Sequence, residues 1–225
     1  MVRKFIKDIK SKNLRVFILG AGGQGKVVLD ILSENKNFEV FGFIDDNQKL
    51  KGKVIDGVKV FGDKNYLEDL RKKGVIAGIV AIGENKIRCE IADYLKKKGF
   101  RLINAIHPSS LIANNALVGS NILIAMGAII CAHTIIEDNA VIYSGAIIEH
   151  ESILKNGAYI SPGVKLAGKV EVGEKAFLGI GVTVIQNIKI GSNSIIGAGA
   201  VVLEDIPDNV VAVGIPAKII KKIRK

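Results

Sequence analysis

A six-residue repeat, which begins at Ile112 and continues into the C-terminal region, restricts the fold of this chain more than any other feature. Every sixth residue is a large aliphatic one, and the residue four positions after it is usually small. The sixteen leading residues are Ile112, Val118, Ile124, Ile130, Ile136, Ile142, Ile148, Leu154, Ile160, Leu166, Val172, Leu178, Val184, Ile190, Ile196 and Val202. The second series starts at Ala116 and ends at Ile206, and thirteen of its sixteen members are Ala, Ser, Thr or Val.

This period predicts a parallel β-helix. An α-helix repeats every 3.6 residues and a simple strand every two, so neither explains it. One large and one small inward side chain per six residues suit one flat side of a triangular coil. Three sides make a coil of 18 residues, and coils stack about 4.8 Å apart, as neighbouring strands do. Stacking buries an aliphatic core that no single repeat could bury alone. We therefore predict a β-helix domain over residues 106–225.

Residues 14–105 show the pattern of an α/β domain instead. The predicted elements are a strand at Arg15–Leu19, a glycine turn at Gly20–Gly25, a helix at Lys26–Leu32, strands at Glu39–Ile44 and Val75–Ile82, and a helix at Lys86–Lys98. This order is that of a βαβ unit with a parallel sheet, and it predicts a Rossmann-like domain.

These motifs carry a family resemblance. The repeat resembles that of the hexapeptide-repeat acyltransferases, whose β-helix is left-handed and trimeric, and Val213–Ala217 resembles their closing motif. Gly20–Val28, joined to such a helix, resembles one branch of them. That branch contains sialic acid O-acetyltransferases and N-acetyltransferases for nucleotide-linked amino sugars, including the bacillosamine pathway enzyme. The resemblance implies acetyl-CoA as co-substrate, no metal, and a homotrimer.

The candidate base is one of three histidines. Acyl transfer from a thioester needs a base, and histidine is the usual one near neutral pH. His107 precedes the repeats, whereas His133 and His150 follow leading residues and should point outward. The resemblance of Glu149–Glu151 to the branch motif assigns the base to His150 and the orientation of its imidazole to Glu151. The alternative for His150 is a solvated surface histidine.

The 18-residue coil length predicts which residues lie next to His150 and Glu151. Gly168 lies one full coil after His150, so its backbone N–H should be accessible, and the resemblance implies that it binds the thioester carbonyl. His133 lies one full coil before Glu151. It should stack beside that carboxylate, where it competes for it, helps to hold it, or makes only an exposed contact.

The acceptor site is expected in the α/β domain. The GAGGQG turn fits GxGxxG, with an acidic residue about twenty positions on, which is a weak dinucleotide fingerprint by itself. The resemblance implies that this domain holds the nucleotide of the sugar substrate, at Gly22, Gln24, Gly25, Asp45, Asp46, Asn85 and Arg88. The alternative for Arg88 is a solvated helix residue.

Three positions depart from the branch pattern around the acceptor. Tyr143, Tyr159 and Gln24 stand where the branch has an asparagine and two histidines. Acyl transfer is therefore better supported than any particular sugar. The repeat has no inserted loop, which also favours an acceptor site in the N-terminal domain.

Coenzyme A is expected in a groove between neighbouring β-helices. The predicted contacts are backbone groups of Gly168, Gly179, Ala198 and Gly199, with Lys218 and Lys221 either meeting the phosphates or lying in a solvated tail. No cysteine or serine is placed as an obvious nucleophile, so we expect direct transfer.

The formal net charge of +10 favours anionic partners. The lysine-dense patches are Arg3–Lys12, Lys96–Lys98 and Lys218–Lys225, and no nucleic-acid motif surrounds them, so a solvated surface or phosphorylated substrates are expected. The absence of a signal peptide or membrane span in the sequence predicts a cytoplasmic location. Two distant cysteines predict no structural zinc.

Together these features predict an acetyl-CoA-dependent N-acetyltransferase of a nucleotide-linked amino sugar, with O-acetylation of sialic acid or a related sugar as the alternative. Three other classes remain open. A metal hydratase on the same β-helix would need three converging histidines, a non-catalytic scaffold would bind nucleotide sugar without turnover, and a dehydrogenase would bind a nicotinamide cofactor through GxGxxG.

Overall fold

A computed structural model describes residues 13–223, which form two compact units that divide between Pro108 and Ser109. The Arg3–Lys12 patch and the last two residues of the Lys218–Lys225 patch lie outside the described residues. The α/β unit contains β1 (Leu14–Leu19), α1 (Gly23–Ser33), β2 (Phe38–Ile44), β3 (Val54–Ile55), β4 (Val58–Gly62), α2 (Leu67–Lys72), β5 (Ala77–Val80), α3 (Asn85–Lys97), β6 (Arg101–Leu102) and β7 (Ala105–Ile106), with 3-10 turns at Gln48–Leu50 and Lys64–Tyr66.

The sheet of the α/β unit has the strand order β3-β4-β2-β1-β5-β6, and all its pairings except β3–β4 are parallel. Its central strands are buried and hydrophobic, as in other parallel sheets covered by helices, with Phe17 and Phe43 fully buried. The chain leaves β1 toward β2 on one side and later returns to β5 on the other. Ligands bind at the carboxyl ends of strands at such a switch point.

Two glycines of the turn after β1 are required by close packing. A Cβ on Gly25 would lie 2.1 Å from the carbonyl oxygen of Gly20, and one on Gly20 would lie 2.5 Å from that of Ala81. Gly20 also has a φ of +108°, which L side chains rarely adopt. The turn therefore brings the start of α1 close to the ends of β1 and β5.

The second unit is the β-helix that the repeat predicts, of the left-handed parallel class. Its two-residue strands are β8 (Leu111–Ile112), β9 (Leu117–Val118), β10 (Leu123–Ile124), β11 (Ile129–Ile130), β12 (Ile135–Ile136), β13 (Val141–Ile142), β14 (Ile147–Ile148), β15 (Ile153–Leu154), β16 (Tyr159–Ile160), β17 (Lys165–Leu166), β18 (Glu171–Val172), β19 (Phe177–Leu178), β20 (Thr183–Val184), β21 (Lys189–Ile190), β22 (Ile195–Ile196) and β23 (Val201–Val202). Each strand from β8 to β20 pairs in parallel with the strand one coil further on, as Val141 does with Tyr159.

The aliphatic core confirms the predicted register. Each leading residue is the second residue of its strand, and from Val118 to Val202 all fifteen are at most 3% exposed. Ile112, in the first coil, is partly exposed. The residues of the second series are buried from Ile122 through Ile206, so both registers point inward as predicted.

A third periodic position, which the sequence analysis did not use, forms the corners of the coils. Three residues after each leading residue from Val118 to Ile196 the backbone has a positive φ, at Asn121, Gly127, His133, Asn139, Gly145, Glu151, Gly157, Gly163, Lys169, Lys175, Gly181, Asn187, Asn193 and Gly199. Ten of these fourteen are Gly or Asn, the residues that tolerate this conformation best, so the signal is present in the sequence. The N–H of each corner residue from Asn139 to Gly199 donates to a carbonyl of the preceding coil.

The repeat ends after Val202. β24 (Val210–Val213) pairs with β22 so that Val211 lies opposite Ile195, which makes this last coil shorter than the others. β25 (Lys218–Lys222) pairs antiparallel with β24, and its side chains are all exposed. None of the helices between residues 13 and 223 has the length and apolar character needed to cross a bilayer, since even α3 has only 13 residues.

The buried register predicts a large cost for shortening a leading side chain. Leu154 is fully buried, so we expect Leu154→Ala to lower the free energy of unfolding by about 2–5 kcal/mol through lost burial and the cavity left behind. Ile135→Ala, on the exposed position of a strand, should cost less than about 1 kcal/mol. Chemical denaturation measures both, and equal losses would contradict the inward–outward assignment.

Candidate active site

His150 stands at a turn between β14 and β15 with its side chain half-exposed, so its predicted outward direction is correct. Its Nδ1 lies 3.1 Å from Oε2 of Glu151. A carboxylate can only accept, so Nδ1 is the donor in this contact. A neutral imidazole held in this contact has its lone pair on Nε2, where it could take a proton.

Gly168 lies directly against the imidazole of His150, one coil further on. A Cβ on Gly168 would be 2.6 Å from both Nε2 and Cε1 of that ring, so no larger residue fits without moving the histidine. Its φ is not in the left-handed region, so the glycine is needed for space rather than for backbone conformation. Within residues 13–223 the Gly168 N–H donates to no protein acceptor, but Gly168 is buried rather than openly accessible, and its role toward a thioester carbonyl stays a prediction.

Most corner residues are Gly or Asn, but the corner beside His150 has other residues in three successive coils. His133, Glu151 and Lys169 occupy its successive coils with φ values of 58°, 58° and 60°. Positive φ costs such residues about 1–2 kcal/mol each, and strain of this kind clusters at functional sites. The residue types and the backbone strain together make this corner a candidate functional position.

The side chain of His133 contacts Asn115 and not the Glu151 carboxylate, which the sequence predicted as its neighbour. Its Nε2 lies 3.0 Å from Nδ2 of Asn115, and its backbone N–H donates to Oδ1 of the same residue. Oε2 of Glu151 instead lies 3.7 Å from Nζ of Lys169. His133 is thus directed to Asn115, and the cation that shares the Glu151 carboxylate with His150 is Lys169, which the sequence analysis missed.

Cys131 lies on the coil below this turn and is partly exposed. Burial raises the pKa of its thiol, and the neighbouring Glu149 carboxylate raises the pKa further. A thiol that stays protonated is a poor nucleophile. His150 and the Gly168 N–H are thus the candidate base and the candidate donor, and Cys131 is not activated for a covalent step.

In the α/β unit, the two predicted acidic residues have different surroundings. The two carboxylate oxygens of Asp45 accept the backbone N–H groups of Ala21 and Asn47, at 2.7 and 2.8 Å. Asp45 therefore connects the glycine turn to the end of β2. Asp46 is exposed and lies 3.6 Å from Nζ of Lys64. Gly22, the residue before α1, has open space where a Cβ would stand.

Both predictions for Arg88 need correction. Its side chain is fully buried, so it neither lies in solvent nor lines an open crevice. The guanidinium donates to the carbonyl oxygens of Ile82 and Gly83 and to Oδ1 of Asn85, at 2.9–3.2 Å. Buried charge is tolerated only with such partners. Arg88 therefore shapes the segment after β5, and Asn85 is one of its hydrogen-bond partners.

The rings of Tyr143 and Tyr159 are neighbours on one face of the β-helix, with their planes tilted by 36°. Their ring centroids are 5.5 Å apart, and the ring of Phe177 lies 4.9 Å from that of Tyr159. The three partly buried rings form a continuous apolar surface where the sequence predicted acceptor contacts.

Among the residues predicted to contact coenzyme A, some backbone N–H groups are already hydrogen-bonded within the protein and others are not. The N–H groups of Gly179 and Gly199 donate to the carbonyls of Ile196 and Ile180, so neither is free for a ligand. This corrects the prediction for those two donors. The Ala198 N–H has no acceptor within the described part of the chain. Lys218 and Lys221 are both exposed, and Nζ of Lys218 lies 3.8 Å from Oε2 of Glu204.

Between residues 13 and 223, no group of three or more His, Cys, Asp or Glu side chains is arranged to hold a metal ion.

Comparison with known proteins relates both units to one group of enzymes. A model of the family "PglD N-terminal domain" matches residues 15–95, and one of "Bacterial transferase hexapeptide (six repeats)" matches residues 169–204. PerB from Caulobacter crescentus, solved in complex with CoA and GDP-perosamine, is 38% identical, with a TM-score of 0.86 over 92% of this chain and 97% of PerB. The chain belongs to the hexapeptide-repeat sugar acyltransferase family.

Two further relatives of this acyltransferase family member are informative. The acetyltransferase domain of PglB from Neisseria gonorrhoeae, also solved in complex with acetyl coenzyme A, is 31% identical, with a TM-score of 0.87 over 92% of this chain and 100% of that domain. UDP-N-acetylbacillosamine N-acetyltransferase of Bacillus subtilis is 35% identical over 112 residues, which are 48% of this chain and 50% of that protein. The chain thus spans about half the length of the curated relatives it matches.

The strained corner of this acyltransferase predicts a trade between stability and activity. Glu151→Asn introduces a residue that tolerates positive φ better than glutamate does, and it removes the carboxylate beside His150. We expect the free energy of unfolding to rise by roughly 0.5–1 kcal/mol, after the loss of two exposed ion contacts is subtracted. Turnover of acetyl-CoA should fall at least about tenfold, because the imidazole loses its orienting partner.

The matched control is Lys175→Asn, a corner residue with the same positive φ in a different corner of the coil. It should gain similar stability in chemical denaturation with turnover unchanged. Full activity in Glu151→Asn would remove the orienting role from Glu151.

Proposed function

We propose that this chain is an acetyl-CoA-dependent N-acetyltransferase that acetylates the amino group of a nucleotide-linked amino sugar. The contact of His150 with Glu151 and Gly168 is the observation that carries this proposal, because it combines a base with a free backbone donor. The named relatives support the substrate class, since they are a UDP-sugar N-acetyltransferase and a protein crystallised with CoA and GDP-perosamine. None of those named relatives is described as an O-acetyltransferase.

His150 is the proposed general base for direct transfer. The amino nitrogen of the sugar attacks the thioester carbonyl carbon, and Nε2 of His150 takes the proton that the nitrogen loses. The C–S bond then breaks, and Nε2 of His150 gives its proton to the leaving thiolate of coenzyme A, which restores the neutral imidazole. Glu151 faces Nδ1 throughout and stabilises the imidazolium that forms.

The Gly168 N–H is the proposed donor to the thioester carbonyl oxygen. That oxygen gains negative charge as the nitrogen attacks, and a fixed backbone donor stabilises it without reorganisation. Ala198 offers a second free N–H for coenzyme A in a later coil, and the exposed Lys218 and Lys221 offer positive charge for its phosphates.

The nucleotide part of the substrate is assigned to residues 14–105, and acyl transfer to residues 106–225. The N-terminus of α1 has no side-chain cap and no acidic residue in its first turn, so its N–H groups are open to a phosphate. This end of α1 lies at the switch point of the sheet, where ligands of such folds bind.

A homotrimer is proposed because part of one side of the β-helix is apolar. We call the outward side chains of β8, β11 and β14 the apolar face, which ends where the next strand of the same sheet, β17, presents the exposed Lys165. Leu111 is 64% exposed there, and Ile129 and Ile147 are half-buried. Contiguous exposed apolar surface of this kind marks a protein interface. In the trimer each active site would lie between His150 of one subunit and the neighbouring β-helix.

The base is tested by thiol release from acetyl-CoA with a panel of nucleotide amino sugars and free sialic acids. We expect turnover with an amino sugar, and a loss of about 10²–10⁴-fold in His150→Ala. His133→Ala, which removes the histidine bonded to Asn115, serves as the control and should retain turnover. Turnover only with a sialic acid would move the function to O-acetylation, and activity surviving in His150→Ala would exclude His150 as the base.

The assembly is tested by light scattering. We expect wild type to have about three times the chain mass of 24.1 kDa, and Ile129→Glu, which buries a charge in the apolar face, to give smaller species. Ile135→Glu makes the same change on the neighbouring sheet and should leave the mass unchanged. A monomeric wild type would overturn the trimer.

A further inference from the structure

The ammonium group of Lys169 contacts the same carboxylate oxygen that faces His150. Nζ of Lys169 lies 3.7 Å from Oε2 of Glu151, and Nδ1 of His150 lies 3.1 Å from that oxygen. One carboxylate oxygen is therefore shared between the imidazole of the candidate base and a cation from the next coil.

The backbone holds Lys169 in this place. Its N–H donates to the carbonyl oxygen of His150 at 2.9 Å, so the lysine is joined across one coil to the peptide of the histidine itself. Its φ is 60°, where Asn or Gly would be less strained. Strain at a lysine does not by itself indicate a role, since Lys175 has a φ of 56° in a different corner. The shared carboxylate is what distinguishes Lys169.

The charged and titratable groups around His150 come from three successive coils of the β-helix. They are Cys131 and His133 on the preceding coil, Glu149 and Glu151 on the turn itself, and Lys169 on the following coil. Cys131 faces Glu149, and the ring of His133 is directed to Asn115. Glu151 is therefore the anion in contact with the imidazole of His150, and Lys169 is the cation beside that anion.

A carboxylate beside a histidine base has two effects that oppose each other. It orients the ring by accepting the Nδ1 proton, but its negative charge also favours the imidazolium, which cannot take a further proton. A neighbouring ammonium group repels the imidazolium and offsets part of the carboxylate charge. The ring can then be oriented by the carboxylate while a larger fraction of it stays neutral at a given pH.

We propose that Lys169 is a positioning residue that keeps His150 neutral, and so available as the base, by offsetting the charge of the Glu151 carboxylate that both residues contact. This inference rests on the proposed function, which makes His150 the base. It adds a third residue to the pair formed by His150 and Glu151, and it gives the strained corner at Lys169 a role in the reaction.

The test follows the imidazole signals by nuclear magnetic resonance as the pH is changed, in wild type, Lys169→Asn and Lys169→Arg. The chain has three histidines, so a spectrum of His150→Ala identifies the signals of His150. Asn removes the cation and suits positive φ, whereas Arg keeps both the cation and the strain. Lys175→Asn is the matched control, because Lys175 also has positive φ and its Nζ also lies 3.7 Å from a carboxylate, that of Glu174.

The measured quantity is the half-protonation pH, at which half of the His150 rings are protonated. We expect it to rise by about 0.2–0.7 pH units in Lys169→Asn, which is the size of effect that an exposed ion contact has. Lys169→Arg and Lys175→Asn should leave it unchanged. Added salt should reduce the difference between wild type and Lys169→Asn, because the side chains of Lys169 and Glu151 are both about half exposed.

The pH profile of thiol release from acetyl-CoA should change in the same way. On its acid side, kcat/KM of Lys169→Asn should be about 1.5- to 5-fold lower than that of wild type. At high pH, where the imidazole is neutral in both proteins, the two values should be equal. Chemical denaturation should show Lys169→Asn to be at least as stable as wild type, so that unfolding does not explain the loss.

An unchanged half-protonation pH in Lys169→Asn would overturn the proposal, and so would an equal change in Lys175→Asn. A change in the half-protonation pH without a matching change in the pH profile would reject the role of Lys169 in the reaction. The proposed function is judged separately. Wild type that releases no thiol with any acceptor, while the half-protonation pH changes as expected, would support the effect of Lys169 on His150 and reject the acetyltransferase.

Discussion

The in-register stacking of successive coils is the constraint on which the β-helix depends. Each corner residue from Asn139 to Gly199 donates its N–H to the preceding coil, and each leading side chain packs on the ones above and below it. A shift of one residue would turn a strand's aliphatic side chains outward, so the register is strongly specified. Because the register is fixed, residues one coil apart become neighbours, and His150 meets Gly168.

The candidate site departs from the repeat in two ways, at its corner residues and at Gly168. Glu151 and Lys169 occupy corners where Gly or Asn would be less strained, and their side chains supply charge beside the imidazole. Gly168 stands at a position where the backbone tolerates any residue, yet a side chain would collide with His150. Both departures from the repeat fit a candidate site where function and stability compete.

The α/β unit contains one buried polar side chain with hydrogen-bond partners and another whose amide has none within residues 13–223. Arg88 is fully buried and its guanidinium is hydrogen-bonded, so it organises the segment after β5. Gln24 is almost as buried and lacks partners. The first is explained by the folded chain itself, whereas no group of residues 13–223 pairs with the second. Both residues lie around the same switch point, where the sheet topology already places a binding crevice.

The sequence by itself determined the β-helix, the inward registers, the outward direction of His133 and His150, and the family. It could do so because a periodic fold converts sequence spacing into spatial distance. Only the tertiary structure decided that Arg88 is buried, that His133 turns to Asn115, that the N–H groups of Gly179 and Gly199 are already used, and that Gln24 is unpaired. Those outcomes depend on side-chain directions and on which donors the packed backbone has already satisfied, and neither is a function of spacing along the chain.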